Sequence, residues 1–235
     1  MRCYLKISSL SVLITLSITL ALIFIFFPNI DIYVSSLFFD KQKGFFLNRN
    51  NTLVAIHQTV PYIASAFATT YITLLLLSFF KTLPLKSLCR TRIIFLILTL
   101  SLGPGVLVNS IFKDNWGRAR PLQTEIFGQD KKFTPAFVIT NQCNRNCSFT
   151  SGDASVGFAI FAFAFIYRRK KYYINMLAIT AGSLLGTARI MQGSHFLSDV
   201  IFSGIFVYFT CWSLYKLMFS SINYHQLLLK KERIR

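Results

Sequence analysis

The chain has 235 residues, of which 54% are hydrophobic, and its formal net charge is +17. A soluble domain of this size would expose much of that apolar surface to water, so the composition excludes an ordinary soluble protein and indicates a membrane protein. In a soluble protein the basic excess would suggest nucleic acid, but here the basic residues bracket apolar runs, so we expect no nucleic-acid partner.

Six apolar runs are each near the roughly 20 residues that a helix needs to cross a bilayer. In chain order they are residues 7–30, about 60–80, 93–112, about 149–167, 172–188 and about 196–215. These runs predict an all-α, polytopic membrane protein with six transmembrane helices in a single domain, residues 1–235. A cleavable signal peptide is the alternative for the first run. Its apolar part is too long and no Ala-x-Ala site follows, so we expect an uncleaved anchor.

Basic residues at the ends of these runs predict the orientation, because short loops rich in Lys and Arg stay in the cytoplasm. With six spans, four basic clusters fall on one face: Arg2 and Lys6; Lys81, Lys86, Arg90 and Arg92; residues 168–171; and Lys230, Lys231, Arg233 and Arg235. Both termini are therefore expected in the cytoplasm. The two longer loops, residues 31–59 and 113–148, are expected on the outer face.

Two cysteines lie in the second of these outer loops, at Cys143 and Cys147. An oxidising outer compartment would allow them to form a disulfide, which we predict. Two free thiols or half of a metal site are the alternatives, and no second Cys or His pair lies nearby in the sequence to complete four ligands.

Four polar clusters that are distant in sequence meet at the outer face if the six spans are correct. They are Lys113, Arg118 and Arg120; Ser151, Gly152 and Asp153; Arg189; and His195 with Asp199. Guanidinium and ammonium groups suit phosphate oxygens, and the backbone N–H groups that follow Ser151 and Gly152 would offer a further anion site at a helix start. The combination predicts a phosphate pocket.

His195 and Asp199 are four residues apart and so share one face if the segment is helical. The carboxylate could then orient the imidazole while the free ring nitrogen attacks phosphorus. Each residue alone has a simpler explanation: an interfacial anchor, a helix cap or a structural histidine. Together on one face they predict phosphoryl transfer. His57 has no such neighbours in the sequence and is expected to be an interfacial histidine.

Three short motifs carry a resemblance to a known family. Lys113 is followed after six residues by Arg120-Pro121, "TSGD" occupies residues 150–153, and Arg189 is followed at fixed spacing by His195 and Asp199. This pattern resembles the three motifs of type 2 phosphatidic acid phosphatases. The resemblance implies a metal-independent phosphatase without a cofactor, with a phosphohistidine on His195 and Asp199 as its orienter. It also implies a set of phosphate-binding residues, Lys113, Arg120, Ser151, Gly152 and Arg189.

The chain departs from the family pattern at two positions. Ala188 stands where the family usually has serine, and Asp153 stands where it has the histidine that protonates the leaving group. Asp153 could take over this role, because a carboxyl group at low-dielectric depth beside a phosphate is expected to have a raised pKa. The alternative is that Asp153 simply pairs with Arg118 or Arg120.

Longer stretches narrow the resemblance to one branch. "FPNIDIYVSSLFF", "GPGVLVNSIFKDNWGRARP", "FVITNQCNRNCSF", "GDAS" and "QGSHFLSDVIF" look like lipid A 4'-phosphatases of Gram-negative bacteria. This implies hydrolysis of the 4'-phosphate of lipid A at the periplasmic face of the inner membrane, with lipids and no protein as partners. Losing that phosphate would weaken binding of cationic antimicrobial peptides. The alternatives are a phosphatase of undecaprenyl diphosphate or phosphatidylglycerophosphate, or a lipid-binding or transport protein with a decayed site.

"GPG" at residues 103–105 interrupts the third run about two turns before Lys113. Proline removes a backbone donor, so we expect a kink there, which would open a lateral groove for acyl chains. Close helix packing through small residues is the alternative.

Overall fold

Most of the chain is helical in the computed structural model, which describes residues 9–80 and 87–232. Six of the basic residues used to predict the orientation lie outside these ranges: Arg2, Lys6, Lys81, Lys86, Arg233 and Arg235.

The first part of the chain contains three helices and a small hairpin. The helices are α1 (Ser9–Phe26), α2 (Asn29–Ser36) and α3 (Asn51–Leu77). Between α2 and α3, strand β1 (Phe39–Asp40) pairs antiparallel with β2 (Gly44–Phe45).

The second part begins with α4 (Ser87–Leu100), which continues as a π-helical segment (Ser101–Phe112) and ends in the short α5 (Lys113–Asn115). A long loop with two 3-10 turns (Pro121–Gln123 and Glu125–Phe127) follows. The remaining helices are α6 (Gly152–Phe158), α7 (Phe161–Ile166), a 3-10 turn (Arg168–Lys170), α8 (Lys171–Met191) and α9 (Leu197–Glu232).

Four helical segments are long and apolar enough to cross a membrane: Asn51–Leu77, Arg90–Asn115, Arg168–Met191 and Leu197–Phe219. A fifth span is possible if α1 and α2, which meet at an angle of 79°, form one broken crossing. The described residues therefore support a helical membrane protein with four or five candidate spans, and the predicted six are not confirmed.

The region predicted as the first outer loop, residues 31–59, is largely structured. It holds most of α2, the hairpin and the start of α3. The third helix begins at Asn51 instead of near residue 60, because the Asn50 side chain accepts hydrogen bonds from the backbone N–H groups of Thr52 and Leu53 at 3.1 and 3.2 Å. This is a standard helix N-cap, and the sequence prediction overlooked it.

The predicted fourth span corresponds to Gly152–Ile166, which is shorter than the four candidate spans. It is interrupted between the end of α6 at Phe158 and the start of α7 at Phe161. Helix α6 packs closely against α8. A Cβ atom added to Gly157 would lie 2.7 Å from the Cα atom of Gly182, so the two backbones approach where neither carries a side chain. This approach places the start of α6 deep among α8 and α9.

Aromatic side chains pack the long loop against α9. Phe137 of the loop lies 4.6 Å from Phe202 of α9 between ring centroids, and Phe149 lies 6.3 Å from Phe206 of α9 and 5.1 Å from Trp116. Aromatic pairs of this kind add about 0.5–1.5 kcal/mol each beyond the area they bury. The loop is therefore a packed part of the protein and can hold polar residues in fixed positions.

Arg118 in this loop is completely buried and joins three distant segments. Its guanidinium donates to Asp31 of α2 at 2.8 Å, and to Asp199 and Ser198 of α9 at 2.6 and 2.9 Å. The ring of Phe196 lies 4.3 Å from the guanidinium carbon. Such a buried cation is tolerated only because both carboxylates neutralise it.

Replacing Arg118 tests this network. We expect Arg118→Met to lower the free energy of unfolding by about 3–5 kcal/mol, because it leaves two buried carboxylates without their cation. Chemical unfolding in detergent micelles, followed by tryptophan fluorescence, measures the change. The matched control is Arg145→Met, at an exposed position of the same loop. Equal stability of the two variants would contradict the proposed role of Arg118.

Candidate active site

His195 lies in the turn between α8 and α9, and its side chain is only 2% exposed. Its Nδ1 atom is 2.7 Å from the backbone carbonyl oxygen of Ser148. A carbonyl can only accept, so Nδ1 carries the proton and Nε2 keeps its lone pair. Burial lowers the pKa of His195 to about 4, so the imidazole is neutral at pH 7. A neutral imidazole in one fixed tautomer is the form that a nucleophile requires.

Asp199 supports His195 mainly through Ser148. Its Oδ2 atom is 3.6 Å from His195 Nδ1, which is too long for a hydrogen bond. The same oxygen accepts from Ser148 Oγ at 2.6 Å and from the backbone N–H of Phe196 at 2.8 Å, while Oδ1 accepts from Arg118 at 2.6 Å. The carboxylate thus holds Ser148, whose carbonyl orients the imidazole. This differs from the direct pairing expected from the sequence.

Three cations lie close to one another beside this histidine: Lys113 of α5, Arg120 of the long loop and Arg189 in the last turn of α8. We call them the cation triad. Their charges are near enough to act on one another, and those of Lys113 and Arg120 also act on His195. Burial lowers the pKa of Arg120 below its usual value, since the charged guanidinium is partly removed from water. Converging cations repel one another unless an anion lies between them, so the arrangement suits a phosphate dianion.

A small disulfide loop positions two members of the triad. Cys143 and Cys147 are bonded, and between them Asn146 adopts a left-handed conformation with φ of 52°. The carbonyl of Asn146 accepts from Arg120 at 2.9 Å, and the N–H of Cys147 donates to the carbonyl of Lys113 at 3.0 Å. The predicted cysteine pair therefore lies beside the residues predicted to bind phosphate.

Ser151 and Gly152 begin α6 next to the triad. The backbone N–H of Ser151 donates to the Asp199 carbonyl at 3.1 Å, which fixes this helix start against α9. A Cβ atom on Gly152 would lie 3.1 Å from Lys113 Nζ and 2.6 Å from Asn109 Oδ1. Glycine is therefore needed here, because any side chain would displace the lysine or the asparagine.

Asp153 lies between a guanidinium group and an imidazole ring. Its Oδ2 atom is 3.3 Å from Arg189 Nε and 2.6 Å from His57 Nδ1. The alternative considered from the sequence, a pairing with Arg118 or Arg120, is not formed: Arg118 is paired with other carboxylates, and Arg120 donates to a backbone carbonyl. The Arg189 guanidinium and the hydrogen bond from the imidazole stabilise the charged carboxylate, so this geometry favours an ion-pairing role for Asp153 over proton donation.

His57 is the site residue that sequence reasoning missed. It lies in the second turn of α3, 96 residues before Asp153, and belongs to none of the three motifs. The overlooked signal was the cap at Asn50, which starts α3 early and brings His57 to the same end of the helices as the triad. An interfacial histidine was expected, and the structure instead places it in contact with Asp153.

Gly152 provides a test of the triad. We expect Gly152→Ala to lower kcat/KM by about a hundredfold, because the methyl group overlaps Asn109 Oδ1 and presses on the Lys113 ammonium, which shifts the cation from the phosphate position. Steady-state kinetics on a phosphate monoester measure the loss. Gly103→Ala is the control, since its methyl group would meet neighbours only at 3.8 Å. An active Gly152→Ala enzyme would argue against the placement of Lys113.

The protonation state of His195 can be observed directly. We expect a neutral imidazole with the proton on Nδ1 at pH 6, because burial lowers its pKa to about 4 and an ordinary histidine would by then be largely protonated. Nitrogen-15 NMR of the labelled protein in detergent, assigned with His195→Gln, distinguishes the two forms. A doubly protonated ring at pH 6 would contradict the expectation.

Comparisons with known proteins agree with these motifs. The family profile of the PAP2 superfamily matches residues 94–223. A lipid A 4'-phosphatase of Francisella tularensis subsp. novicida (strain U112) is 41% identical over 204 residues, which cover 86% of this chain and 91% of the relative.

Two further relatives match shorter stretches, and both are also lipid A 4'-phosphatases. The protein of Rhizobium leguminosarum is 38% identical over 44% of this chain and 45% of its own length. That of Rhizobium etli is 40% identical over 43% and 40%, respectively. No solved structure matches the chain significantly. From the family profile, the full-length relative and the three motifs together, we conclude that the chain belongs to the PAP2 superfamily, the type 2 phosphatidic acid phosphatases.

Proposed function

We propose that the chain is a lipid A 4'-phosphatase, which hydrolyses the 4'-phosphate monoester of lipid A through a phosphohistidine. The observation that carries this proposal is a neutral, buried His195 of fixed tautomer beside the cation triad. The substrate follows from the relatives, since three similar proteins are lipid A 4'-phosphatases.

The cation triad would hold the phosphate. Its side chains are suited to bind the three non-bridging oxygens, where charge must be stabilised during phosphoryl transfer. The backbone at Ser151 and Gly152 would complete the pocket, and the absence of a side chain at Gly152 leaves room beside Lys113.

His195 would act as the nucleophile. Its Nε2 lone pair attacks phosphorus while Nδ1 keeps its hydrogen bond to the Ser148 carbonyl. As Nε2 forms the bond, the ring gains positive charge, which the carbonyl and the nearby Asp199 carboxylate stabilise. Water then attacks the phosphohistidine and releases inorganic phosphate.

An apolar groove beside the site offers room for part of an acyl chain. It lies between the π-helical segment and α9 with a volume of about 360 Å³, and it is lined by Leu102, Leu107, Phe206, Phe209, Thr210, Ser213 and Leu214. Phe206 also stacks on Phe112, which directly precedes Lys113. Gly103 packs on α9 with its nearest side-chain contacts at 3.8 Å, so this interrupted segment combines close packing with a groove.

We further propose that the site faces the periplasm from the inner membrane of a Gram-negative cell, with both termini in the cytoplasm. The basic clusters between the apolar runs and the disulfide beside the site support this orientation. Six crossings would result if the bent α1–α2 pair and the broken α6–α7 pair each count as one.

Phosphate release from bis-phosphorylated lipid A precursor in detergent, without added metal, tests the function. We expect loss of the 4'-phosphate alone, with kcat reduced by at least ~10³-fold in His195→Ala because the nucleophile is missing. Mass spectrometry of the lipid product identifies which phosphate has left.

Release from undecaprenyl diphosphate or phosphatidylglycerophosphate, and none from lipid A, would retain the chemistry and replace the substrate. Lipid binding without release from any of these substrates would instead indicate a lipid-binding or transport protein. An active His195→Ala enzyme would refute the phosphohistidine.

A further inference from the structure

The leaving group of a phosphate monoester needs a proton, and the second motif of this chain lacks the histidine that would supply it in the resembling family. Asp153 stands in that position, and the imidazole of His57 from α3 is hydrogen-bonded to it. We propose that His57 is the general acid that protonates the leaving oxygen, and that Asp153 is its positioning residue. This inference rests on the proposed phosphatase function.

The geometry assigns the two nitrogens of His57 to different tasks. Nδ1 lies 2.6 Å from Asp153 Oδ2, so Nδ1–H donates a hydrogen bond to the carboxylate. Nε2 lies on the far side of the ring from this bond and is the atom left to serve as a proton donor when the imidazole is protonated. In this arrangement a carboxylate accepts a hydrogen bond from Nδ1–H and thereby leaves Nε2 free for proton transfer. It is the usual way in which an acidic residue orients a catalytic histidine.

The position of the pair places it at the margin of the phosphate pocket. Asp153 contacts Arg189 at 3.3 Å, and the preceding Gly152 lies against the Lys113 ammonium. His57 contacts Asp153 from α3 and would therefore lie beside a phosphate bound there, on a different element from His195. An in-line displacement needs its acid and its nucleophile to be separate groups, because the bonds to the entering and leaving atoms lie on opposite sides of phosphorus.

His57 is more exposed than His195, as we expect if His57 is the proton donor and His195 the nucleophile. The side chain of His57 is 43% exposed, whereas that of His195 is 2% exposed. A proton donor must be reloaded in each turnover and benefits from contact with water. A nucleophile that has to stay neutral benefits from burial.

The Asp153 carboxylate contacts both His57 and Arg189, at 2.6 and 3.3 Å. The same carboxylate thus connects a phosphate-binding cation to the proton donor.

The proton balance closes over the two half-reactions. In the first, the Nε2 lone pair of His195 forms a bond to phosphorus. The bond from phosphorus to the sugar oxygen breaks, and that oxygen takes the proton from Nε2 of His57. In the second, a water molecule gives a proton to Nε2 of His57 and attacks phosphorus. The bond to His195 breaks and its electron pair returns to the imidazole, so both histidines regain their starting states.

Two substrates with different leaving groups test this role, dodecyl phosphate and 4-nitrophenyl phosphate in the same micelles. Nitrophenolate leaves without protonation, whereas an alkoxide does not. We expect His57→Asn to lose about 10²–10⁴-fold in kcat/KM on the alkyl ester and less than about tenfold on the aryl ester.

Asparagine is the informative replacement because its side-chain amide can still donate to Asp153 from the position of Nδ1, but it has no group equivalent to Nε2. If His57 only fastens α3 to α6, His57→Asn will resemble the wild type on both esters, which would overturn the proposal. An equal loss on both esters would also overturn it. Gln58→Ala is the control for an exposed substitution in the same helix turn.

Asp153→Asn separates the two candidate acids. If Asp153 were the acid, Asp153→Asn would show the leaving-group-dependent loss and His57→Asn would not, and the proposal would fail. We expect His57→Asn to show the larger selective loss, because Asp153 affects the proton transfer only by orienting His57.

A second measurement does not depend on the identity of the lipid. Phosphoramidate can phosphorylate His195 directly, and the decay of the phosphohistidine then reports on the second half-reaction alone. We expect this decay to be at least tenfold slower in His57→Asn, because no base accepts the proton of the attacking water. Unchanged decay would contradict the role of His57. Failure to hydrolyse lipid A, together with slowed decay in His57→Asn, would refute the proposed substrate and leave the general acid intact.

Discussion

The buried ion pairs of Arg118 with Asp31 and Asp199 are the interaction on which the rest of the structure depends. Removing three charges from water is costly, and the cost is offset only when all three stay together. The segments that carry them, α2, the long loop and α9, are far apart in sequence. The ion pairs therefore fix the loop over the helix ends, and the loop in turn carries part of the active site.

The support of the nucleophile follows from this arrangement. Asp199 uses one oxygen for Arg118 and the other for the Ser148 hydroxyl and a backbone N–H. Ser148 then presents its carbonyl to His195. The ion pair between Arg118 and Asp199, which stabilises the fold, thus also fixes Ser148 and thereby the nitrogen of His195 that is protonated. Structural and chemical roles are combined in one carboxylate.

The remaining charges of the site are distributed differently. Arg118 is neutralised by carboxylates, whereas Arg120 donates to a neutral carbonyl and Lys113 lies beside a glycine. Positive charge is therefore left available for a phosphate. Asp153 is the carboxylate that connects this region to His57, through a contact that joins α3 to α6. Binding and proton transfer would then be coupled through one ion pair.

The spacing of the three motifs predicted a group of residues that the structure brings close together. Lys113 lies near enough to Arg120 and Arg189 for their charges to interact, and Lys113 and Arg120 act on His195. The sequence was insufficient where an element boundary depended on one side chain. The cap at Asn50 starts α3 at Asn51. Because this cap was not recognised, residues 51–59 were predicted as a loop, although they form the first turns of α3 and contain His57.

The sequence by itself determined the membrane character and predicted the set of groups that we propose bind and transfer phosphate, because composition, hydropathy and motif spacing are local properties of the chain. Only the tertiary structure decided which carboxylate pairs with which cation. Asp153 contacts His57 and Arg189, Arg118 takes Asp31 and Asp199, and a backbone carbonyl orients the nucleophile. An ion pair in contact needs its charged atoms within about 4 Å of each other, so it depends on how closely helices remote in sequence approach one another.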